Sequence, residues 1–188
     1  MLTHEDLLAR YEIEDLLNRY AQAIDRRDWS TARAAYHDDA DVDYGAYRGG
    51  VDGLFDYIKG RHDAIEQSLH FMGRTVIDLD GDNARAVSPN IVFQRRKTGQ
   101  AGPVAMFGDA VPEGDERATI QIASRYLDWL QRRSGVWRIR RRIIVHEWMR
   151  ANLRDETSLM QPEWQVATRD HDDPFFAFTA AVASENRI

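Results

Sequence analysis

The chain has 188 residues, 43% hydrophobic and 30% charged, which is enough for one well-packed domain and too little for two of ordinary size. It contains no cysteine, so disulfide scaffolds, thiolate metal sites and cysteine nucleophiles are excluded. A net charge of −6 argues against general nucleic-acid binding, and the run Arg138, Arg140, Arg141 and Arg142 would be divided between both faces of a strand. The opening Met1-Leu2-Thr3-His4-Glu5-Asp6 lacks the basic start and apolar run of a signal peptide, and no window is long enough to span a bilayer. The expectation is a cytoplasmic protein with no membrane or nucleic-acid partner.

In chain order, residues 5–28 read as a helix, because Ile13, Leu16, Leu17, Tyr20 and Ile24 recur at helical spacing. Asp28 can cap a short second helix over 29–36, which ends at the turn-rich His37-Asp38-Asp39. A short strand near Asp41 to Tyr44 and a Gly49-Gly50 break precede a third helix from about 51 to 67. From Ser68 the period becomes two, predicting strands over 68–79, 84–97, 117–132 and 135–148 in an antiparallel sheet. Asp80-Gly81-Asp82-Asn83 and Ser134-Gly135 supply the reversals. Residues 98–116 read as a long connection with a brief strand at Val104 to Phe107. Early helices followed by long antiparallel strands indicate an α+β domain over 1–150. Residues 151–188 form an extension whose Pro174-Phe175-Phe176-Ala177-Phe178 cluster is expected to cover the pocket or a neighbouring subunit.

This order of elements, with the stretch Ile13 to Asp25, the Asp38-Asp39-Ala40 turn, Gly49 and the closing Arg132-Arg133-Ser134-Gly135-Val136-Trp137, resembles the SnoaL-like branch of the NTF2-like superfamily. The resemblance covers roughly residues 5–150. It implies a cone in which a strongly bent sheet and three N-terminal helices enclose a pocket. Members include scytalone dehydratase, bile acid 7α-dehydratase and hexachlorocyclohexane dehydrochlorinase. Asp25 falls where these enzymes keep an aspartate at the end of the first helix, and His70 where they keep the catalytic histidine. Tyr20 is similar to the tyrosine of the bile acid dehydratase. Some relatives have an acid or a second histidine where this chain has Asn90, and His146 matches no family motif.

Strand alternation from His70 turns Ser68 and Met72 inward, and on later strands Asn90, Val92, Ile122, Tyr126, Arg142 and His146. With Ile24 and Tyr44 these give a mixed apolar and polar lining suited to a small molecule, with the terminal phenylalanines as a further wall. Asp25 ends an apolar helical face, where a carboxylate needs a partner. An imidazole oriented by it keeps a basic nitrogen for substrate. The expectation is a lyase of dehydratase type that needs no cofactor, with His70 as base, Asp25 as its orienter and Tyr20 as a further catalytic hydroxyl. Its substrate is a small hydrophobic cyclic or aromatic compound. Asn90 and Arg142 each have a structural alternative, as a satisfied amide and as the partner of a carboxylate. An isomerase or cyclase using the same base, a non-catalytic binding protein, and the small subunit of a ring-hydroxylating dioxygenase are the rival functions. A metal is not expected, since His146 and Glu147 are adjacent on a strand and point to opposite faces. The chain is expected to form a homo-oligomer, dimer or trimer.

Overall fold

A computed structural model describes residues 2–97, 117–152, 161 and 163–185. Helix α1 (His4–Asp25) starts at a capping box in which the Thr3 hydroxyl accepts from the Asp6 amide and the Asp6 carboxylate accepts from the Thr3 amide. Of the residues that the helical period picks out, Ile13, Leu17, Tyr20 and Ile24 are buried, joined by Ala21, while Leu16 is half-buried. Arg27, at φ 57°, turns the chain into α2 (Trp29–Ala34), whose first turn is capped by the Asp28 carboxylate on the Thr31 amide. Strands β1 (Tyr36–Asp43) and β2 (Arg48–Gly50) precede α3 (Val51–His62). Then follow β3 (Ile65–Met72), β4 (Val76–Asp80), β5 (Asn83–Lys97), β6 (Arg117–Arg133), β7 (Val136–Asn152) and a C-terminal helix α4 (Pro174–Glu185).

The sheet runs in the order β2-β1-β7-β6-β5-β3, with β4 also on β5. The β6–β7 reversal uses Ser134 and Gly135, both at positive φ (51° and 78°), the backbone pair that matches the twist of a two-residue hairpin. The helices cover one face, and their stripes meet Tyr36, Ala40, Val42, Tyr126, Leu130 and Ile139 in one core.

Several sequence expectations are corrected. Asp38 and Asp39 lie within β1, not in a turn; Arg33 and Arg133 hold their carboxylates at 2.9 Å outside the sheet while Tyr36, His37, Ala40 and Val42 are buried. β1 pairs with β7 in parallel, so the sheet is not wholly antiparallel. The third helix stops at His62 rather than near 67, because Ile65 to Met72 are taken into the pairing with β5. The single strand expected over 68–79 divides at Gly73, whose amide bonds the Pro89 carbonyl at 2.8 Å and whose missing side chain lets Pro89 approach. The strand expected at 104–107 lies outside the described residues. Among the described residues no helix is long and apolar enough to cross a membrane.

The arginine run does divide between faces. Arg140 and Arg141 reach Asp39 and Asp41, while Arg142 turns inward and is fully buried with Asp128, two parallel bonds of 2.7 and 2.9 Å joining them. Its guanidinium lies over the rings of Tyr126 and Tyr20, at 4.3 and 4.4 Å from their centroids. Burial alone would lower its pKa, but Asp128 holds it well above the ordinary arginine value. Removing one partner of such a pair leaves a buried charge uncompensated. Arg142→Met is therefore expected to lower the unfolding free energy by about 3–5 kcal/mol, measured by urea denaturation; a loss below about 1 kcal/mol, the size of a surface pair, would contradict this placement.

Candidate active site

The last turn of α1 delivers Asp25 against the middle of β3, and the carboxylate is only 4% exposed. Three donors from β3 satisfy it. The Ser68 hydroxyl and the His70 Nδ1–H both donate to Oδ1 at 2.7 Å, and the His70 amide donates to Oδ2 at 2.7 Å. Burial pushes Asp25 up, but the His70 ring, its charge and backbone, and Ser68 outweigh it, so the carboxyl titrates below its ordinary value. An ionised Asp25 fixes the proton of a neutral His70 on Nδ1 and leaves Nε2 as a free lone pair.

His70 lines a cavity of about 120 Å³. Its walls are Ile24 from α1, Ile58 from α3, Ile65 from β3, Val92 from β5, Ile122 from β6, and Ile144 and Met149 from β7. Polar atoms enter from Tyr20, Tyr44, Tyr126, Gln94, Ser124, Arg61, His62 and His146. The Tyr44 hydroxyl is 2.8 Å from that of Tyr20 and 2.9 Å from that of Tyr36, forming a chain of three phenols. Burial first, then neighbouring phenols, raises Tyr44 and Tyr126 well above the ordinary phenol value, so both remain protonated hydrogen-bond donors.

The sequence-derived site is thus brought together in large part, around Tyr20, Ile24, Tyr44, His70, Val92, Ile122, Tyr126 and His146. His146 and Met149, both exposed, stand at the rim. A bulge in the β6–β7 pairing sets Ser124 opposite His146 but Ala123 opposite Trp148, and so lets both His146 and Met149 turn inward. Glu147 goes to the other face, 2.6 Å from Arg125.

Four residues expected to line the cavity do not. Arg142 sits deeper, committed to Asp128 and the tyrosine rings. Asn90 is buried with its side-chain oxygen accepting from the Ser124 hydroxyl at 2.8 Å. Ser68 is committed to the Asp25 carboxylate, and Met72 packs against the hydrophobic core. Nor do the terminal phenylalanines wall the cavity. Phe175 stacks under Arg26, 4.3 Å from the guanidinium carbon, and Phe178 is exposed.

Sequence reasoning missed His62, Gln94 and Ser124, although each carried a signal. His62 continues the stripe Leu54-Ile58 at intervals of four, and Gln94 and Ser124 alternate with Val92 and with Ile122 and Tyr126. Arg169 was also missed, and nothing in its local sequence marks it. It is 4% exposed, and its guanidinium donates to the backbone carbonyls of Asp25 and Ile65 at 2.6 and 2.7 Å. It also reaches Nδ1 of His62 at 2.8 Å.

The SnoaL-like domain profile matches residues 5–143. An uncharacterized protein of Mycobacterium tuberculosis (strain ATCC 25618 / H37Rv) is 29% identical over 147 residues, 76% of this chain and 88% of that protein. Among solved structures, the chain is similar to a candidate scytalone dehydratase of Novosphingobium aromaticivorans, with a TM-score of 0.64 and 17% identity over 79% of this chain and 91% of that one. It is also similar to a hexachlorocyclohexane dehydrochlorinase of Novosphingobium barchaimii, with a TM-score of 0.61 and 18% identity over 83% and 97% of the two chains. Identities this low carry the fold alone, a helix-covered curved sheet of the NTF2-like type.

Because the folded-state pKa of Asp25 is lowered, its stabilising contribution is fully present above the unfolded value of about 3.9 and is lost as pH falls through the folded value. Urea midpoints of wild type and Asp25→Asn should therefore differ most above about pH 4 and converge below it. A difference independent of pH would mean that the carboxylate is not held ionised by its three donors.

Proposed function

The chain belongs to the SnoaL-like domain family, and on that premise we propose that it is a lyase of dehydratase type acting on a small hydrophobic ring compound. The observation that carries the reading is the 2.7 Å bond from His70 Nδ1 to a buried Asp25, with the same imidazole lining the cavity. A base must be oriented, unprotonated at one nitrogen and within reach of substrate. The Asp25 contact orients the ring and, in its neutral form, fixes the proton on Nδ1, and the cavity gives access to substrate.

In the proposed reaction, His70 Nε2 removes a proton from carbon. The C–H electron pair becomes the new C=C bond, and the group on the adjacent carbon departs with its bonding pair as hydroxide or halide. The proton then on His70 is available to complete water, or passes to solvent when halide leaves. No cofactor is required by this chemistry. Proton transfer by a positioned side chain accounts for roughly 10²- to 10⁴-fold in rate. The rest falls to positioning in the apolar cavity and to hydroxyl donors such as Tyr20 and Tyr126.

Volume limits the substrate. An apolar cavity on the order of 150 Å³ holds a benzene ring, so about 120 Å³ suits one ring, with any larger part projecting past His146 and Met149. A buried, fully bonded carboxylate aimed at a cavity-facing imidazole favours catalysis over a purely structural subunit. An isomerase or cyclase would use the same base without losing a group, so the released product separates these reactions.

The test is proton–deuterium exchange and release of water or halide from a panel of single-ring alcohols and halides incubated with the protein in D₂O, followed by NMR. Where wild type acts, His70→Ala and Asp25→Asn should each slow exchange by roughly 10²- to 10⁴-fold. Full turnover in both variants would sink the reading.

A further inference from the structure

A second imidazole faces the same cavity, and the elimination as described gives it no part. His62 ends α3, is 7% exposed and lines the cavity. Its Nδ1 lies 2.8 Å from Nη2 of Arg169. A guanidinium offers only N–H donors, so Nδ1 is the acceptor and the ring proton stands on Nε2. Arg169 is not free to swing away, since two more of its nitrogens are bonded to the carbonyls of Asp25 and Ile65. The opposite edge of the His62 ring, at Nε2, has no hydrogen-bond partner among the described residues.

The surroundings keep this ring neutral. Burial acts first, and the charged or titratable groups acting on it most strongly are cations or another imidazole: Arg169 from the C-terminal segment, His70 from β3, Arg27 from the α1–α2 turn and Arg61 from α3 itself. Together they hold His62 well below the ordinary histidine value. The two imidazoles are therefore poised oppositely. His70 has a carboxylate at Nδ1, whereas His62 has a guanidinium at Nδ1 and a hydrogen on Nε2. His62 cannot serve as a base toward the cavity, because its second lone pair is already taken.

We propose that His62 is a substrate-binding donor whose Nε2–H holds an oxygen atom of the ligand, with Arg169 as the positioning residue that fixes its tautomer. The substrate class is then a single-ring compound carrying a carbonyl oxygen beside the carbon that His70 deprotonates. This rests on the reading of His70 as the base. As His70 takes the proton, the C–H pair moves into the adjacent C–C bond and the carbonyl π pair moves onto oxygen. The resulting enolate accepts from the neutral His62 N–H. Return of that pair expels the leaving group with its bonding electrons, and the proton on His70 is passed to the departing oxygen or to solvent. Setting a neutral donor beside a base divides the acid and base roles between two groups of the same residue type.

The test uses the full chain labelled with ¹⁵N-histidine and 4-nitrophenol as the oxygen-bearing ring probe. In wild type, long-range ¹H–¹⁵N spectra should show His62 as the neutral Nε2–H form, still uncharged below the ordinary histidine value of about 6.5. 4-Nitrophenol should shift its Nε2–H resonance. His62→Phe should weaken binding of the probe by about three- to tenfold, as loss of one hydrogen bond predicts, and His62→Gln, which keeps an N–H donor, should recover most of it. Arg169→Met should raise the His62 titration point and mix its tautomers.

An Nδ1–H tautomer, an ordinary titration, failure of wild type to bind 4-nitrophenol, or unchanged affinity in His62→Phe would each overturn the assignment. The wild-type spectra decide the tautomer even if Arg169→Met does not fold. His70→Ala separates this inference from the one beneath it. Survival of deuterium exchange in that variant removes His70 as the base, while the His62 resonance and probe affinity still judge the donor on their own.

Discussion

The Asp25 carboxylate joins the helical layer to the sheet, and the chemistry of the cavity depends on how it is satisfied. A charge buried this deeply costs several kcal/mol unless it is fully hydrogen-bonded. Here one side chain takes donors from Ser68, the His70 backbone and the His70 ring, all on β3. The same contacts therefore fix the end of α1 against the strand and the orientation of the imidazole. Arg169 reinforces the junction from outside by bonding the Asp25 and Ile65 carbonyls, so a segment far along the chain is tied to the same point.

A second buried ion pair supports the far wall. Arg142 and Asp128 carry no exposed surface and lie beneath Tyr20, Tyr36 and Tyr126. Two of those rings also line the cavity, so the pair sets where their hydroxyls stand without touching a ligand itself. The Asp25 and Arg142–Asp128 charges thus act at one remove on both walls, and the cavity is faced by phenols, amide, hydroxyl, imidazoles and aliphatic carbon, with Arg61 the one guanidinium among the lining residues. That combination is consistent with the uncharged ring compound proposed as substrate rather than a multiply charged one.

Much of this was legible in the sequence because it rests on periodicity. The stripe of α1 identified the core and carried Asp25 to its end, and alternation from His70 through Val92, Ile122 and Tyr126 found the cavity face. The Asp25–His70 partnership came from the resemblance together with the cost of an unpaired buried carboxylate. Periodicity gives a direction but not a depth, which is why Arg142 and Asn90 point inward yet stop short of the cavity. It also fails where the ladder slips. The bulge beside Ser124 brings both His146 and Met149 to the cavity side, and only pairing partners reveal it. Arg169 was beyond reach for another reason: its importance arises from contacts with residues more than a hundred positions away, and local sequence holds no trace of them.

The central claim is that a buried carboxylate holds His70 as a base with its free lone pair in the cavity. Neutron diffraction from crystals grown in D₂O at neutral pH tests it most directly, because it locates the exchangeable hydrogens themselves. The account predicts deuterium on His70 Nδ1 between the ring and an unprotonated Asp25, and none on Nε2 facing the cavity. Deuterium on Nε2 with a bare Nδ1, or a protonated Asp25, would contradict it.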